Sequence, residues 1–128
     1  MTDLAIEGVV PVFRVANVAL SVTWYGDVLG FSGDAVGPPD DPSFAILRRD
    51  GFELMLQKVR AGVGEPRSAS KTGGGWDAYV RIYDADALWE DVRAKVPHVG
   101  RIVTTEYGCR EFVVTDPDGH VLVLGECN

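Results

Sequence analysis

The chain has 128 residues, of which 46% are hydrophobic and 24% charged, a composition typical of a globular protein with one sizeable core. Its formal net charge of −7 and pI near 4.7 argue against a nucleic-acid partner, because phosphate backbones attract basic surfaces. No apolar run approaches the roughly 20 residues that span a bilayer, and residues 1–4 lack the pattern of a secretory signal, so we expect one cytoplasmic domain over residues 1–128 without a membrane partner.

The first half of the chain predicts the element order βαβββ, in a module at about residues 8–58. Asn17 is a typical N-cap, and the helix after it carries apolar residues at spacings of three, four and seven before Gly30 ends it. Asp50-Gly51 predicts a tight hairpin between the last two strands. The four predicted strands lie at residues 9–15, 31–36, 43–49 and 52–58.

The second half repeats this order after a linker. Residues 59–75 are rich in Gly, Ser, Lys and Arg, which predicts a connector to a second module at about residues 76–126. Asp84 caps the helix of that module, Pro97 closes it, and Asp-Pro-Asp-Gly at 116–119 predicts the turn before the last strand. The predicted strands lie at residues 76–83, 101–105, 110–115 and 120–125.

The two modules are also related in sequence. Residues 44–56 align without a gap to residues 112–124, with Phe, Asp-Gly and two Leu coinciding, and residues 13–17 align to residues 80–84. The shift is 68 residues for the first pair of segments and 67 for the second. Two separate segments with nearly the same shift indicate an internal repeat, so one supersecondary unit is predicted to occur twice.

Three segments of the chain carry a resemblance to a known family. They are residues 12–17, residues 24–31 with Trp-Tyr and Leu-Gly-Phe, and residues 110–124. Together they resemble the vicinal oxygen chelate superfamily, which contains glyoxalases, extradiol dioxygenases and bleomycin-resistance proteins. Tyr107-Gly108, followed closely by Arg-Glu-Phe, is most similar to bleomycin-resistance-like members. The resemblance implies an α+β fold of two βαβββ modules in tandem, whose curled mixed sheets surround a central cavity.

The resemblance also implies where a metal would be held. Metal-dependent relatives use His, Glu or Gln side chains in the middle of the first and fourth strands of each module. These positions fall here on Val10, Met55, Asp77 and Val123, of which only Asp77 supplies a hard donor. We therefore predict no metal and no cofactor, which disfavours the alternative function of a small-metabolite lyase, isomerase or dioxygenase.

The predicted cavity mixes aliphatic, aromatic and charged side chains, which suits a flat, partly polar small molecule. Tyr107, by its similarity to the aromatic residue of resistance proteins, is the candidate for stacking on a planar ring, although a tyrosine that caps the sheet edge fits equally well. Arg14 and Arg81 would favour an anionic group, against the acidic charge of the chain, and this conflict stays open. The predicted ligand contacts are Arg14, Met55, Gln57, Trp76, Asp77, Tyr79, Tyr107 and Val123.

Three classes of function remain. The first is a metal-independent binding protein that sequesters an antibiotic or another aromatic compound; it needs no catalytic residue, and none is assigned. The second is a metal-free enzyme, which would show a perturbed pKa at Asp77, Glu53 or Tyr107. The third is an interaction module with a filled cavity. The resemblance further implies a homodimer with ligand sites shared between subunits, and it leaves open whether modules exchange.

The remaining reactive side chains receive structural interpretations. Cys109 and Cys127 lack the spacing of a zinc site, and we expect reduced thiols rather than a disulfide. His98 follows Pro97 and His120 follows a turn glycine, so both are expected to be solvated and not catalytic.

Overall fold

The computed structural model describes residues 4–60 and 75–128, so most of the predicted linker at 59–75 lies outside the described residues. Ten elements follow one another in the predicted order, which confirms an α+β fold of two βαβββ modules. The elements are β1 (Val12–Val15), α1 (Val18–Leu29), β2 (Ser32–Val36), β3 (Phe44–Arg49), β4 (Phe52–Lys58), β5 (Ala78–Arg81), α2 (Ala85–Lys95), β6 (Val103–Thr104), β7 (Cys109–Thr115) and β8 (Val121–Cys127).

Each module forms its own mixed sheet of four strands. The strand order is β1-β4-β3-β2 in sheet 1 and β5-β8-β7-β6 in sheet 2. In both sheets the first strand runs parallel to the fourth, and the other neighbours are antiparallel. The internal repeat seen in the sequence is therefore a repeat of topology. Within the described ranges, no helix is long and apolar enough to cross a membrane.

The bounds of three strands differ most from the prediction. β1 begins at Val12 rather than at residue 9, β5 begins at Ala78 rather than at residue 76, and β6 keeps only two of five predicted residues. For β1 the reason is Pro11, which has no N–H to donate to the ladder although its carbonyl accepts from Met55 N at 3.0 Å.

Both helices begin and end as their sequences indicate. The Asn17 side chain accepts from Leu20 N at 3.0 Å, and the Asp84 side chain accepts from Ala87 N at 3.1 Å. Gly30 ends α1 with φ of 73°, in the left-handed region that favours glycine. These caps fix where both helices begin and where α1 ends.

The helix-facing sides of the two sheets contribute to one apolar core. Phe13 and Leu56 of sheet 1 belong to the same buried cluster as Phe112 and Leu124 of sheet 2. Their strand neighbours point the other way, because side chains alternate along a strand. We call the side of each sheet that faces away from the helices its open face. Since the helix-facing sides share a core, the two open faces point away from each other within one chain.

A buried polar network joins the modules at the β7–β8 turn. The Asp116 carboxylate accepts from Tyr25 Oη at 2.7 Å, from Asp118 N at 2.9 Å and from His120 N at 2.8 Å. His120 Nδ1 lies 2.8 Å from the same carboxylate. Asp118 Oδ1 in turn accepts from Ala16 N at 3.0 Å. The turn of module two is thus bonded to α1 and to the end of β1.

The prediction of a solvated His120 is wrong. Its ring is 4% exposed and stacks on Phe13, with ring centroids 4.4 Å apart. The turn that carries it packs between β1 and α1, a contact that local sequence does not reveal. His98, by contrast, is exposed after α2, as predicted.

Candidate functional site

The open face of sheet 2 presents a group of aromatic side chains. Trp76 and Tyr79 have ring centroids 5.8 Å apart with their planes inclined at 46°. Trp76 is 54% exposed and Tyr107, in the turn before β7, is 60% exposed. The structure therefore brings together the three aromatic residues that the sequence nominated as ligand contacts.

Glu111 lies at the centre of this group and was not nominated. Its side chain is 6% exposed, and its two oxygens accept from Tyr79 Oη at 2.7 Å and from Tyr107 Oη at 2.6 Å. Alternation along β7 places Glu111 on the open face with Cys109 and Val113. That alternation was the available signal, but it does not show that two phenols converge on the carboxylate.

Both phenols are held in their protonated, donating form. Burial, followed by the hydrogen bond to Glu111, raises the pKa of Tyr79 to about 12. The hydrogen bond to Glu111 is the main cause that raises the pKa of Tyr107. Each hydroxyl directs its proton at the carboxylate, which leaves the ring faces as stacking surfaces and the remaining lone pairs of Glu111 as acceptors.

Gly125 makes room for this arrangement. It lies opposite Glu111 in the β7–β8 ladder, and a Cβ built on it would lie 1.9 Å from the Tyr79 hydroxyl oxygen. The phenol therefore crosses directly over the backbone at Gly125, a position where any side chain would displace it.

Gly125→Ala is expected to push the Tyr79 hydroxyl away from Glu111. The Tyr79 phenol would then titrate below its present pKa of about 12, towards the ordinary tyrosine value of 10.0, because it loses the hydrogen bond and part of its burial. Absorbance titration of phenolate, with Tyr79→Phe to assign the signal, measures the change. Gly8→Ala is the control, since a Cβ there meets nothing within 4 Å. An unchanged titration in Gly125→Ala would contradict the proposed packing.

A disulfide closes one end of this face, and the prediction of reduced thiols is wrong. Cys109, the first residue of β7, lies directly opposite Cys127, the last residue of β8, with their Cα atoms 4.3 Å apart. The two sulfurs are bonded to each other. The antiparallel register that brings the pair together is invisible in a sequence separation of 18 residues. Tyr79 Oη lies 3.3 Å from Cys127 Sγ, so the disulfide touches the aromatic group.

Three other nominated contacts, Arg14, Met55 and Gln57, lie on sheet 1. Arg14 and Gln57 are paired, exposed residues of β1 and β4. Half-buried Met55 is paired with Val12, two residues away along the same strands. Glu53, a nominated acid, forms an ion pair with Arg48 at 3.0 Å. Within one chain, these three contacts therefore lie apart from the aromatic group on sheet 2.

Two nominated ligand contacts have structural surroundings instead. Val123 is fully buried, so in the single chain it supports its neighbours and offers no surface to a ligand. Asp77 accepts from Val121 N at 2.7 Å and donates its own N–H to Val121 O at 2.8 Å. It thereby fixes the start of β5 against β8.

The metal positions of the family do not fit a divalent ion here. Met55 lies beside Val12 and Val123 beside Tyr79, while Val10 and Asp77 precede β1 and β5. One carboxylate, already bonded to the backbone of Val121, with two valines and a thioether is not a donor set for a hard cation. Within the described part of the chain, no group of three or more His, Cys, Asp or Glu side chains is arranged to hold a metal.

A shallow groove also runs beside α2, on the helix side of sheet 2, between Trp89, Arg93 and Pro97. Its polar groups serve the fold: Trp89 Nε1 donates to Gly100 O at 2.9 Å, and the Arg93 guanidinium lies over the Trp89 ring at 4.9 Å from its centroid. We place the candidate site on the open face of sheet 2.

Tandem βαβββ modules, each with a sheet face left uncovered by helices, define a two-module α+β protein. The model of the Glyoxalase/Bleomycin resistance protein/Dioxygenase superfamily matches residues 9–124. The chain belongs to this superfamily, which agrees with the resemblance in its sequence.

Solved structures show the same fold at low sequence identity. A glyoxalase-related enzyme from Clostridium phytofermentans is 24% identical, with 97% of each chain covered and a TM-score of 0.78. TioX from Micromonospora sp. ML1 is 22% identical, covering 93% of this chain and 97% of its own, with a TM-score of 0.73. The bleomycin-binding protein of bleomycin-producing Streptomyces verticillus, complexed with copper(II)-bleomycin, is 25% identical over 98% and 99% of the two chains, with a TM-score of 0.68. No curated protein sequence matches the chain.

Proposed function

We propose that this protein is a metal-independent small-molecule-binding protein that sequesters a planar aromatic compound, with antibiotics as the first class to test. The observation that carries the proposal is the exposed aromatic group of Trp76, Tyr79 and Tyr107 around the buried carboxylate of Glu111. Rings of this kind stack on flat ligands, and the carboxylate accepts hydrogen bonds from cationic or N–H groups. Support also comes from a bleomycin-binding protein of the same fold.

The sign of the ligand charge follows from where the arginines lie. Arg14 belongs to sheet 1, and the Arg81 guanidinium lies 6.0 Å from the Tyr79 ring centroid. A ligand at the aromatic group of one chain therefore lies near the Glu111 carboxylate and the Arg81 guanidinium, on a protein whose net charge is −7. Within one chain a basic aromatic compound fits this surface better than an oxo-acid, and an acidic group elsewhere on the same compound would meet Arg14 if a second subunit supplies sheet 1.

We further propose a homodimer in which the open face of sheet 1 in one subunit covers the open face of sheet 2 in the other. Within one chain the two faces point apart, and each exposes apolar or aromatic side chains such as Val12 and Tyr107. Exposed patches of this kind favour a partner surface. A ligand held between subunits would then touch the aromatic group from one copy and Arg14, Met55 or Gln57 from the other. We place this dimer in the cytoplasm.

Tyr107→Ala is expected to raise the Kd for metal-free bleomycin by about 10- to 100-fold, because one stacking ring contributes roughly 1–3 kcal/mol. Isothermal titration calorimetry, with and without divalent metals, measures this. Tyr83→Ala is the matched control, since Tyr83 is 99% exposed and makes the same change of volume away from the site. If neither metal-free bleomycin nor a panel of basic planar aromatics binds the wild-type protein, the proposed function fails.

If each ligand site is shared between two subunits, two variants that damage opposite sides of the site should restore binding when they are mixed. Val12→Arg would block the sheet 1 side of a site, and Tyr107→Ala would remove the stacking ring from its sheet 2 side. Two such variants, unfolded together and refolded as a mixture, would yield mixed dimers with one intact site each, so part of the tight binding would return. Sites made within one chain would give no recovery, and that result would exclude the proposed dimer.

A metal-independent enzyme acting on a small metabolite is the second candidate, favoured by the raised pKa of Tyr107. A phenol whose pKa is raised is a weaker proton donor at neutral pH, however, and it is bonded to a carboxylate rather than to a nucleophile. Binding is therefore placed first. Turnover of a bound aromatic compound, lost in Tyr107→Phe while binding persists, would reverse this order.

A further inference from the structure

We propose that the Cys109–Cys127 disulfide is a redox control on the open face of sheet 2: its reduction by a dithiol weakens ligand binding at the aromatic group. The inference rests on the proposed function, because it concerns regulation of the same site. It arises from the position of the disulfide, which joins the first residue of β7 to the last residue of β8.

The disulfide is the first member of a continuous chain of contacts. Cys127 Sγ lies 3.3 Å from Tyr79 Oη, which donates to Glu111 Oε2 at 2.7 Å. The other oxygen of Glu111 accepts from Tyr107 Oη at 2.6 Å. A displacement at the sulfur therefore reaches both tyrosines through one carboxylate.

A second route joins the disulfide to Tyr107 through the backbone. Cys109 ends the turn that carries Tyr107: its N–H donates to Thr105 Oγ1 at 3.0 Å, and its carbonyl accepts from Thr105 N at 2.8 Å. Gly108, with φ of 87°, closes the turn by donating to Thr105 O at 3.1 Å. The disulfide thus fixes the residue on which the Tyr107 turn depends.

Reduction changes both routes. The dithiol gives up two electrons and two protons and closes to a cyclic disulfide, while the Cys109–Cys127 bond breaks and two S–H groups form. The sulfurs then separate from bonding distance to van der Waals contact, and Cys127 already lies against the Tyr79 hydroxyl. Its new S–H also becomes a donor beside a phenol whose single proton is directed to Glu111.

The strand end that would move is paired on one side, and beside it the Glu126 side chain accepts from Ala85 N at 3.0 Å. Pairing between β5 and β8 stops at Gly125, so among the described residues Cys127 is paired in the sheet with Cys109 alone. Cys127 is also the more exposed of the two cysteines, which offers its sulfur to an attacking thiolate. In a reducing compartment such a bond is exposed to cellular dithiols.

The test compares oxidised and dithiothreitol-reduced wild-type protein, with thiol alkylation to establish the redox state. Metal-free bleomycin is the calorimetric probe, and amide hydrogen exchange over residues 105–111 is a readout that needs no ligand. We expect reduction to raise the Kd at least about tenfold and to accelerate exchange in this segment, both reversed on reoxidation. The C109S/C127S variant should bind as the reduced protein does and ignore dithiothreitol, which controls for effects of the reductant on the probe.

Equal Kd values and equal exchange in the two redox states would overturn the inference. If the oxidised protein does not bind bleomycin or any basic planar aromatic, the proposed function fails first. Hydrogen exchange then decides the coupling alone: faster exchange at 105–111 on reduction upholds the link between disulfide and Tyr107, and unchanged exchange rejects it.

Discussion

Replacing Asp116 with alanine is expected to lower the free energy of unfolding by about 3–5 kcal/mol. The carboxylate accepts from Tyr25 Oη and from the backbone N–H groups of Asp118 and His120, and it lies beside His120 Nδ1. All of these groups are buried, so its removal leaves several donors without an acceptor, each at a cost of about 1–3 kcal/mol. Urea unfolding followed by tryptophan fluorescence measures the difference.

Asp86→Ala is the matched control for this variant. Asp86 also accepts from a basic side chain, Arg110, at 3.1 Å, but both partners are exposed. Exposed ion pairs contribute about 0–1 kcal/mol, so this substitution should be nearly neutral. Equal destabilisation by the two substitutions would mean that the Asp116 network does not join the modules as described.

The same network gives the protein an acid-sensitive stability. Burial raises the pKa of Asp116, but the hydrogen bonds from His120 and Tyr25 outweigh burial and hold that pKa below its ordinary value of 3.8. A carboxyl group with a lowered pKa in the folded state stabilises the protein fully above pH 3.8, and this contribution disappears as the pH falls through the folded-state value. Wild-type stability should therefore fall steeply below about pH 4, and Asp116→Asn should lose that part of the slope.

The order of elements was readable because local rules decide it. Asn17 and Asp84 are N-caps, Gly30 ends a helix, and Asp50-Gly51 turns a hairpin, and each signal needs only its neighbours in sequence. The repeated segments then supplied the topology, since two copies of one unit fold alike. Where a residue could not donate to the ladder, as at Pro11, the strand is shorter than predicted but still present.

The site was harder to predict because its parts meet across long sequence distances. Tyr107 and Tyr79 were nominated from strand alternation and resemblance, yet the carboxylate that binds both belongs to a third segment. His120 was interpreted from its own turn, while Tyr25, the other partner of Asp116, lies 91 residues before that aspartate. Strand register decides which residues face one another, and a pattern of residue types fixes it only loosely.

The shared core also explains why three of the eight nominated contacts stand apart. Arg14, Met55 and Gln57 follow the same alternation rule as the aromatic group and lie on an open face as expected. Their sheet turns its helix side to the common core, however, so within one chain they stay apart from the aromatic group, and only the proposed second subunit would bring them to it. An intermolecular site of this kind has no signature in the periodicity of one chain.

Reduction of the Cys109–Cys127 bond is expected to lower the free energy of unfolding by about 3 kcal/mol, the value for closing a loop of roughly this length. The bond joins residues 18 apart in sequence and so restricts the unfolded chain more than the folded hairpin, which the β7–β8 ladder already closes. Urea unfolding with and without dithiothreitol measures the change, with alkylation to count free thiols.

The C109S/C127S variant separates this effect from any other action of the reductant, because it should unfold at the midpoint of the reduced protein in either buffer. Its unfolded chain, lacking the cross-link, exposes more surface, so the dependence of unfolding on urea should also steepen. A fully alkylatable protein whose urea midpoint equals that of the oxidised form would rule out a stabilising cross-link. Because reduction is expected to act on stability through the unfolded chain and on binding through Tyr79 and the Tyr107 turn, loss of one without the other would show which of the two roles the disulfide performs.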